Sequence, residues 1–335
     1  MQRMNSTTAP PSWPVVGHDW AVDLLRRTVS AGRLPQSLLV TGPPNVGKGT
    51  LVRALAQELL CTADLRPCGI CRACQLVAGG RHPDLYWISP EKGSLKIAQV
   101  RDLTRQLSLS PMEGPWQIAV LDQFELATAG AANALLKTLE EPPPHVMLAL
   151  LAQQAEALLP TIVSRCQIIS LRPIPRPIIE QALIERGAID SAQAKLLSHI
   201  CGGRLGWALS AATSPDLLSR RSQILDDLAS LFRANRVVRF MYAQAMSQQS
   251  ADTVLETLEL WVGWWRDVLL LAYRSPVPLT NVDRVAELRE TAAQWDAGTA
   301  KANLLALQRT MEQISYNANT RLALEILLLD FPSVP

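Results

Sequence analysis

Seven consecutive residues, Gly42-Pro43-Pro44-Asn45-Val46-Gly47-Lys48, follow a short apolar run and open a helical pattern. A glycine loop between a strand and a helix can wrap phosphates with its backbone N–H groups, while a lysine at its end reaches the terminal phosphates. Gly42, Gly47 and Lys48 are therefore candidate nucleotide-binding residues. The residue after Lys48, where a hydroxyl should coordinate magnesium, is Gly49, and the nearest hydroxyl, Thr50, comes one position late. The apolar run Gln117–Leu121 ends in Asp122, a candidate neighbour of that magnesium ion. The next residue is Gln123, where hydrolysis needs a carboxylate to polarise the attacking water; glutamine can hold a water but cannot take its proton. The pattern predicts a degenerate phosphate site, with binding of ATP or ADP left open.

Four of the six cysteines, Cys61, Cys68, Cys71 and Cys74, fall within 14 residues, whereas Cys166 and Cys201 stand alone. A disulfide framework would spread pairs through a small secreted domain, and a dense cluster points instead to metal. Four thiolates suffice for a closed tetrahedral structural zinc. His82 is a competitor for the fourth position but is expected to begin the next strand with Pro83.

Two further features carry more than one chemistry. Arg165 is expected between a helical stretch, Glu156–Val163, and a strand, Gln167–Leu171. By itself an arginine at a helix end is a local ion-pair partner or a cap for terminal carbonyls. Trp261, Trp264 and Trp265, with Leu258, Val268 and Leu269, form a helical stripe that could stack bases but fits packed core or a subunit interface better.

The elements that position these residues follow from periodicity. Val22, Leu25 and Val29 recur at helical spacing, and helices are expected over Lys48–Leu60, Ile97–Leu107 and Ala131–Leu139, the last stopped by Pro142, Pro143 and Pro144. Strands are expected at Ser37–Val40, Leu85–Ile88, Gln117–Leu121, Val146–Leu151 and Gln167–Leu171. Strands alternating with helices imply an α/β fold with a mostly parallel sheet covered on both faces. After Pro173, Pro175 and Pro177 the pattern is helical only. The expected division is a tail over 1–14, an α/β domain over 15–172 carrying the cysteine module at 61–74, a small helical domain over 173–214 and a larger helical domain over 215–335.

With 335 residues the chain exceeds what one core usually organises. It is 48% hydrophobic and 19% charged, which excludes a largely disordered protein. Lys plus Arg number 32 against 30 Asp plus Glu, too even for a polybasic nucleic-acid or membrane binder. No apolar stretch approaches the ~20 residues of a membrane helix, and the polar, Pro-rich start is unlike a secretory signal. A cytoplasmic location is expected.

Asn133-Ala134-Leu135-Leu136-Lys137-Thr138-Leu139-Glu140-Glu141-Pro142-Pro143 and Ser164-Arg165-Cys166 closely resemble signatures of the bacterial replicative clamp-loader family of AAA+ proteins. His82-Pro83-Asp84, Ser94-Leu95-Lys96-Ile97 and Ala318–Glu325 fit the same family, so the resemblance covers nearly the whole chain. It implies an AAA+ P-loop domain, a helical lid and a helical collar that oligomerises, with zinc on the four cysteines. It also implies that Arg165 acts in trans, as an arginine finger at a neighbour's ATP site. The expected partners are gamma/tau and delta subunits, with the sliding clamp and primer-template DNA reached through the assembled complex. The chain departs from the ATP-hydrolysing gamma/tau motors at Gly49, at Gln123, at Ala152-Gln153 where the motors carry a sensor threonine, and at Gly206 where they carry a sensor arginine. Four losses point to a stator-like subunit that does not itself hydrolyse ATP; the alternative is a gamma/tau-type motor.

Overall fold

The computed structural model of the chain describes residues 13–91, 93–187, 189–316 and 318–332. Its contacts divide into two compact units, Met1–Ala182 with Gly203–Trp207, and Leu183–Gly202 with Ala208–Pro335.

The first unit is an α/β layer structure. In chain order it contains α1 (Asp19–Ser30), β1 (Ser37–Thr41), α2 (Lys48–Leu60), α3 (Arg72–Ala78), β2 (Leu85–Ile88), α4 (Ile97–Leu107), β3 (Gln117–Leu121), α5 (Ala129–Glu140), β4 (Val146–Ala152), α6 (Pro160–Val163), β5 (Gln167–Ser170) and the start of α7 (Arg176–Glu185). The five strands are all parallel in the order β2-β3-β4-β1-β5. Alternate residues feed opposite cores. Leu38, Val40, Ile118, Val120, Met147, Ala149 and Ile169 pack on one face, and Leu39, Ala119, Leu121, Leu148 and Leu150 on the other. Burial on both faces is why β1, β3 and β4 read as continuous apolar runs rather than alternating ones.

The expected elements are present with shifts of one or two residues, and three expectations are corrected. The helix expected over Glu156–Val163 is broken: Ala155–Ala157 is a 3-10 turn and α6 begins only at Pro160. Leu159, preceding a proline, is held extended at ψ 132°, and the proline takes the first helical position. His82 and Pro83 lie in the turn before β2 rather than in the strand, with His82 Nδ1 accepting the Asp84 amide at 3.1 Å. The expected tail falls mostly outside the described residues (1–12), but Trp13 is only 4% exposed and donates its indole N–H to Glu58 at 3.0 Å.

The second unit contains α8 (Ser191–Ile200), most of α9 (Leu205–Thr213), α10 (Pro215–Leu231), α11 (Arg236–Ser247), α12 (Ala251–Ala272), α13 (Val285–Gln294), α14 (Ala297–Ser315) and α15 (Thr320–Asp330). Asp190, Asn235, Ser250, Asp296 and Asn319 each cap the helix that follows by accepting a first-turn amide. Trp261, Trp264 and Trp265 are all buried on α12. Trp265 and Trp295 both meet Phe232, at ring-centroid distances of 5.5 and 4.8 Å. With all three stripe indoles at most 1% exposed, none presents a face to bases, so the stripe is core.

One cation organises the end of this unit. Arg239, on α11 and buried, donates to the carbonyls of Leu231 (3.1 Å), Leu328 (2.9 Å), Phe331 (2.7 Å) and Pro332 (3.1 Å). These are carbonyls that two helix ends leave without intrahelical partners. Net contributions of ~1.5–3 kcal/mol per charged hydrogen bond, not fully additive, predict that Arg239→Met lowers unfolding free energy by at least about 3 kcal/mol. Urea unfolding of the purified chain checks this; a loss within the ~0.5 kcal/mol typical of surface changes would mean the carbonyls find other donors.

Candidate functional site

The phosphate loop lies where the sequence puts it, between β1 and α2. Its path needs left-handed backbone at Gly42 (φ 145°), Asn45 (φ 61°) and Gly47 (φ 113°). At Gly42 a side chain is excluded outright, because a Cβ would come within 2.5 Å of the Leu171 carbonyl oxygen. Gly47 is the N-cap of α2, so the helix N-terminus opens on the loop. His18, buried, meets the Val46 carbonyl with Nε2 at 3.1 Å, and burial holds its pKa below the usual histidine value.

The side chains of the loop are turned inward upon it. Lys48 donates Nζ to the carbonyl oxygens of Gly42 (2.5 Å) and Pro43 (3.0 Å). The Gly42 amide is itself spent on the carbonyls of Ala152 (3.2 Å) and Gln153 (3.0 Å) at the end of β4. Burial depresses the Lys48 pKa, opposed by the charges of Glu125 first and Asp122 second. Gly49 faces Trp87 of β2, whose ring would lie 3.3 Å from any Cβ there. That ring is also covered by the Arg53 guanidinium, 4.8 Å from its centroid. A hydroxyl residue at 49 therefore requires Trp87 to give way. Thr50 is exposed on α2.

Opposite the loop, Asp122 ends β3 and accepts the Gln123 amide at 3.0 Å. Gln123 is exposed, in left-handed backbone at φ 48°. Gly206, in the first turn of α9, donates its amide to the Asn45 carbonyl at 2.9 Å. A Cβ at 206 would approach that oxygen to 2.9 Å and the Asn45 Cβ to 3.2 Å, so the contact depends on glycine. The sequence reading missed Glu125. It lies on a 3-10 turn, Phe124–Leu126, just beyond β3, with Oε2 buried and without a hydrogen-bond partner. Burial raises its pKa against the opposing effects of its own amide, of Lys48 and of the Gln153 amide. The signal available in the sequence was a second carboxylate within four residues of a strand end.

The four clustered cysteines converge. Their Sγ atoms lie within 4.8 Å of one another, and Cys61 and Cys71 are 3.9 Å apart. A tetrahedron with bonds of ~2.3 Å has edges of about 3.8 Å, so the donors fit a four-coordinate zinc. Cys61 ends α2 and Cys71 caps α3, a helix the sequence reading did not resolve inside the module. The sulfurs accept backbone amides in series: Cys61 from Cys68 (3.4 Å), Cys68 from Cys71 (3.3 Å) and Cys71 from Cys74 (3.4 Å). For Cys71 burial opposes ionisation, yet hydrogen bonds from the Cys74 and Thr62 amides and from neighbouring thiols outweigh it and draw its pKa down to about 6. Burial raises that of Cys74. His82 is outside this group.

Arg165 follows α6 with its side chain 34% exposed. Its guanidinium donates to Glu140 Oε1 at 2.7 Å and to the Thr161 carbonyl at 2.9 Å. Glu140 is the last residue of α5, so Arg165 and the Leu-Glu-Glu-Pro segment meet through an ion pair.

A five-stranded parallel sheet with β1 between β4 and β5, and a phosphate loop at the C-terminal end of β1, defines a P-loop α/β domain of the AAA+ class, here with a cysteine module after α2. A family model described as DNA polymerase III, delta subunit, matches residues 17–175. The DNA polymerase III subunit delta' of Bacillus subtilis (strain 168) is 28% identical over 309 residues, 91% of this chain and 93% of that protein. Subunit delta' of Escherichia coli (strain K12) is 41% identical over 149 residues, 43% of this chain and 45% of that protein. Subunit tau of Salmonella typhimurium is 28% identical over 342 residues, 94% of this chain but 52% of tau. The chain is thus similar to DNA polymerase III delta' subunits over most of its length, and to the DNA polymerase III delta family model over 17–175.

Proposed function

We propose that the chain is the stator-like delta-prime subunit of the replicative sliding-clamp loader. It works in the cytoplasm with gamma/tau and delta subunits, and meets clamp and primer-template DNA through the assembled complex. The tripartite plan fits this role: the α/β domain over 15–172 with its zinc module, the small helical lid over 173–214 and the helical collar over 215–335. Zinc on Cys61, Cys68, Cys71 and Cys74 is structural, since four thiolates leave no open position for catalysis.

The observation that carries the reading is the state of the phosphate loop. Lys48 bonds the loop's own carbonyls, Gly49 is pressed by Trp87, and Gln123 is exposed with no proton-accepting group. Gly42, Gly47, Lys48, Thr50 and Asp122 are then the remnant of a nucleotide site rather than a working one. Arg165 supplies the function instead. A planar, permanently charged fork suits a neighbour's γ-phosphate, where charge grows during transfer.

The isolated chain is expected to hydrolyse ATP no faster than its Lys48→Ala variant in a steady-state phosphate-release assay. Turnover clearly above that control would support a gamma/tau-type motor, the reading that the similarity to tau keeps open.

A further inference from the structure

The outer sides of α11 and α15 depart from the pattern of a surface helix. On α11 the buried positions are Arg239, Ala243 and Met246, spaced four and three apart. Val237 and Met241 lie on the opposite side, flanked by Val238 and Phe240. On α15 the buried positions are Ala323, Leu324, Leu327 and Leu328, while Leu322, Ile326 and Leu329 recur on the far side at intervals of four and three. These seven side chains are between 38% and 66% exposed. The two helices pack along each other and their inner sides enter one core, so both stripes face outward together. A helix that is apolar all round belongs in an interior.

Charge is missing from this face too. From Val237 to Ser247 the one charged residue is Arg239, which is buried and donates to carbonyls. From Leu322 to Leu329 it is Glu325, which accepts from Arg321 Nε at 2.8 Å. Nucleic acid is held by cations on its phosphates, and a charged peptide by opposite charge; this face offers neither. What it complements is an uncharged apolar face, and two adjacent helices supply the ridges and grooves into which other helices pack. Seven large side chains amount to several hundred Å² of contiguous apolar surface, the scale that marks a protein contact rather than scattered residues. That is a large share of the ~800 Å² each partner buries in a stable interface.

We infer that the joined outer face of α11 and α15 is where the helical domain of an adjacent loader subunit docks, through an uncharged apolar helical face of its own. Val237 and Met241 on one helix, with Leu322 and Ile326 on the other, are the central anchors. Arg239 has a second use in this arrangement. By tying α11 to the end of α15 it fixes the two stripes relative to each other, so the surface is formed before a partner arrives.

This inference rests on the clamp-loader reading above, and the test separates the two. The full chain and its Met241→Glu/Ile326→Glu variant are each mixed with purified gamma/tau and delta subunits, and assembly is followed by size exclusion and titration calorimetry. Each substitution strands a charge in the contact, so affinity should fall by about tenfold or more. Met241→Lys/Ile326→Lys should do the same, because an apolar face rejects either sign. Both positions are exposed, so the thermal midpoint of the isolated variants should stay close to that of the wild type. Ile70→Glu, an exposed apolar site in the cysteine module, is the control for added charge and should assemble normally. Unchanged affinity in the folded variants, equal loss in Ile70→Glu, or loss with one sign of charge alone overturns the inference and leaves the proposed function standing. Stable dimers of the wild-type chain in sedimentation, lost in the double variants, would assign the face to a second copy and overturn it as well. A wild-type chain that does not assemble with these subunits overturns both.

Discussion

In a reconstituted loader, Arg165→Ala is expected to leave assembly intact while lowering DNA-stimulated ATP turnover and clamp loading. Arginine fingers in GTPase systems are worth ~10³–10⁵ in rate, and a ring with several ATP sites dilutes the loss of one. Folding should barely respond. The Glu140 pair is solvent-exposed, and such pairs contribute ~0–1 kcal/mol. Arg165→Lys should rescue poorly, because a compact ammonium cannot present two parallel donors to phosphate oxygens. Glu140→Gln supplies the opposite sign: freed from its ion pair, the guanidinium is more available to a neighbour, so turnover should be maintained or raised. Size exclusion alongside turnover is the measurement. Normal turnover in a fully assembled Arg165→Ala complex would reduce Arg165 to the local ion-pair partner seen in the free chain.

The second large effect concerns metal. Protein purified without chelator should carry one zinc per chain by elemental analysis, and none after Cys74→Ser if the other three thiolates cannot hold it. Structural zinc in finger peptides contributes apparent free energies of ~10–16 kcal/mol at neutral pH, so stripping the metal should unfold the module around α3. The pH dependence has a definite sign. Zinc needs thiolates, so binding releases protons and affinity falls as pH falls. The Cys71 thiol, drawn down to about 6, is the one held readiest for the metal at neutral pH, whereas Cys74, raised by burial, must be deprotonated by the metal itself. Zinc release followed with a chromogenic chelator should therefore accelerate on acidification. Stoichiometric absence of metal from native protein would remove the basis for this account.

The sequence was most legible where local rules and burial agree. The uninterrupted apolar runs of β3 and β4, the fold of the glycine loop and the span of α2 could all be read directly, because sheet burial on two faces and a fixed turn leave little choice. The cysteine spacing identified its cluster for the same reason: two-residue intervals force the thiols of a tight turn together. The misses have physical causes. Glu125 was overlooked because its burial on a 3-10 turn is a property of the fold, and a second carboxylate close to a strand end was the one mark it left in the sequence. Trp87 likewise gains meaning only when β2 lays its ring on Gly49. Arg165 was ambiguous from the start, since an ion pair and a finger ask for the same residue type. The free chain displays the ion pair.

The buried guanidinium of Arg239 has a consequence for when the second unit can form. Its acceptors at Leu328, Phe331 and Pro332 lie about ninety positions further along, with separations of 89, 92 and 93 residues. During synthesis α11 therefore emerges with a cation that has no buried acceptors from those positions, and it must stay hydrated until that later stretch clears the ribosome. Closing such long loops is slow relative to helix formation. The helices of this unit can form one by one, but their shared core stays open to water and to chaperones until the last of them arrives. The first unit, whose sheet is complete by residue 170, labours under no such delay. The chain should thus fold in the order in which it is made, with its α/β half finished while its helical half still waits.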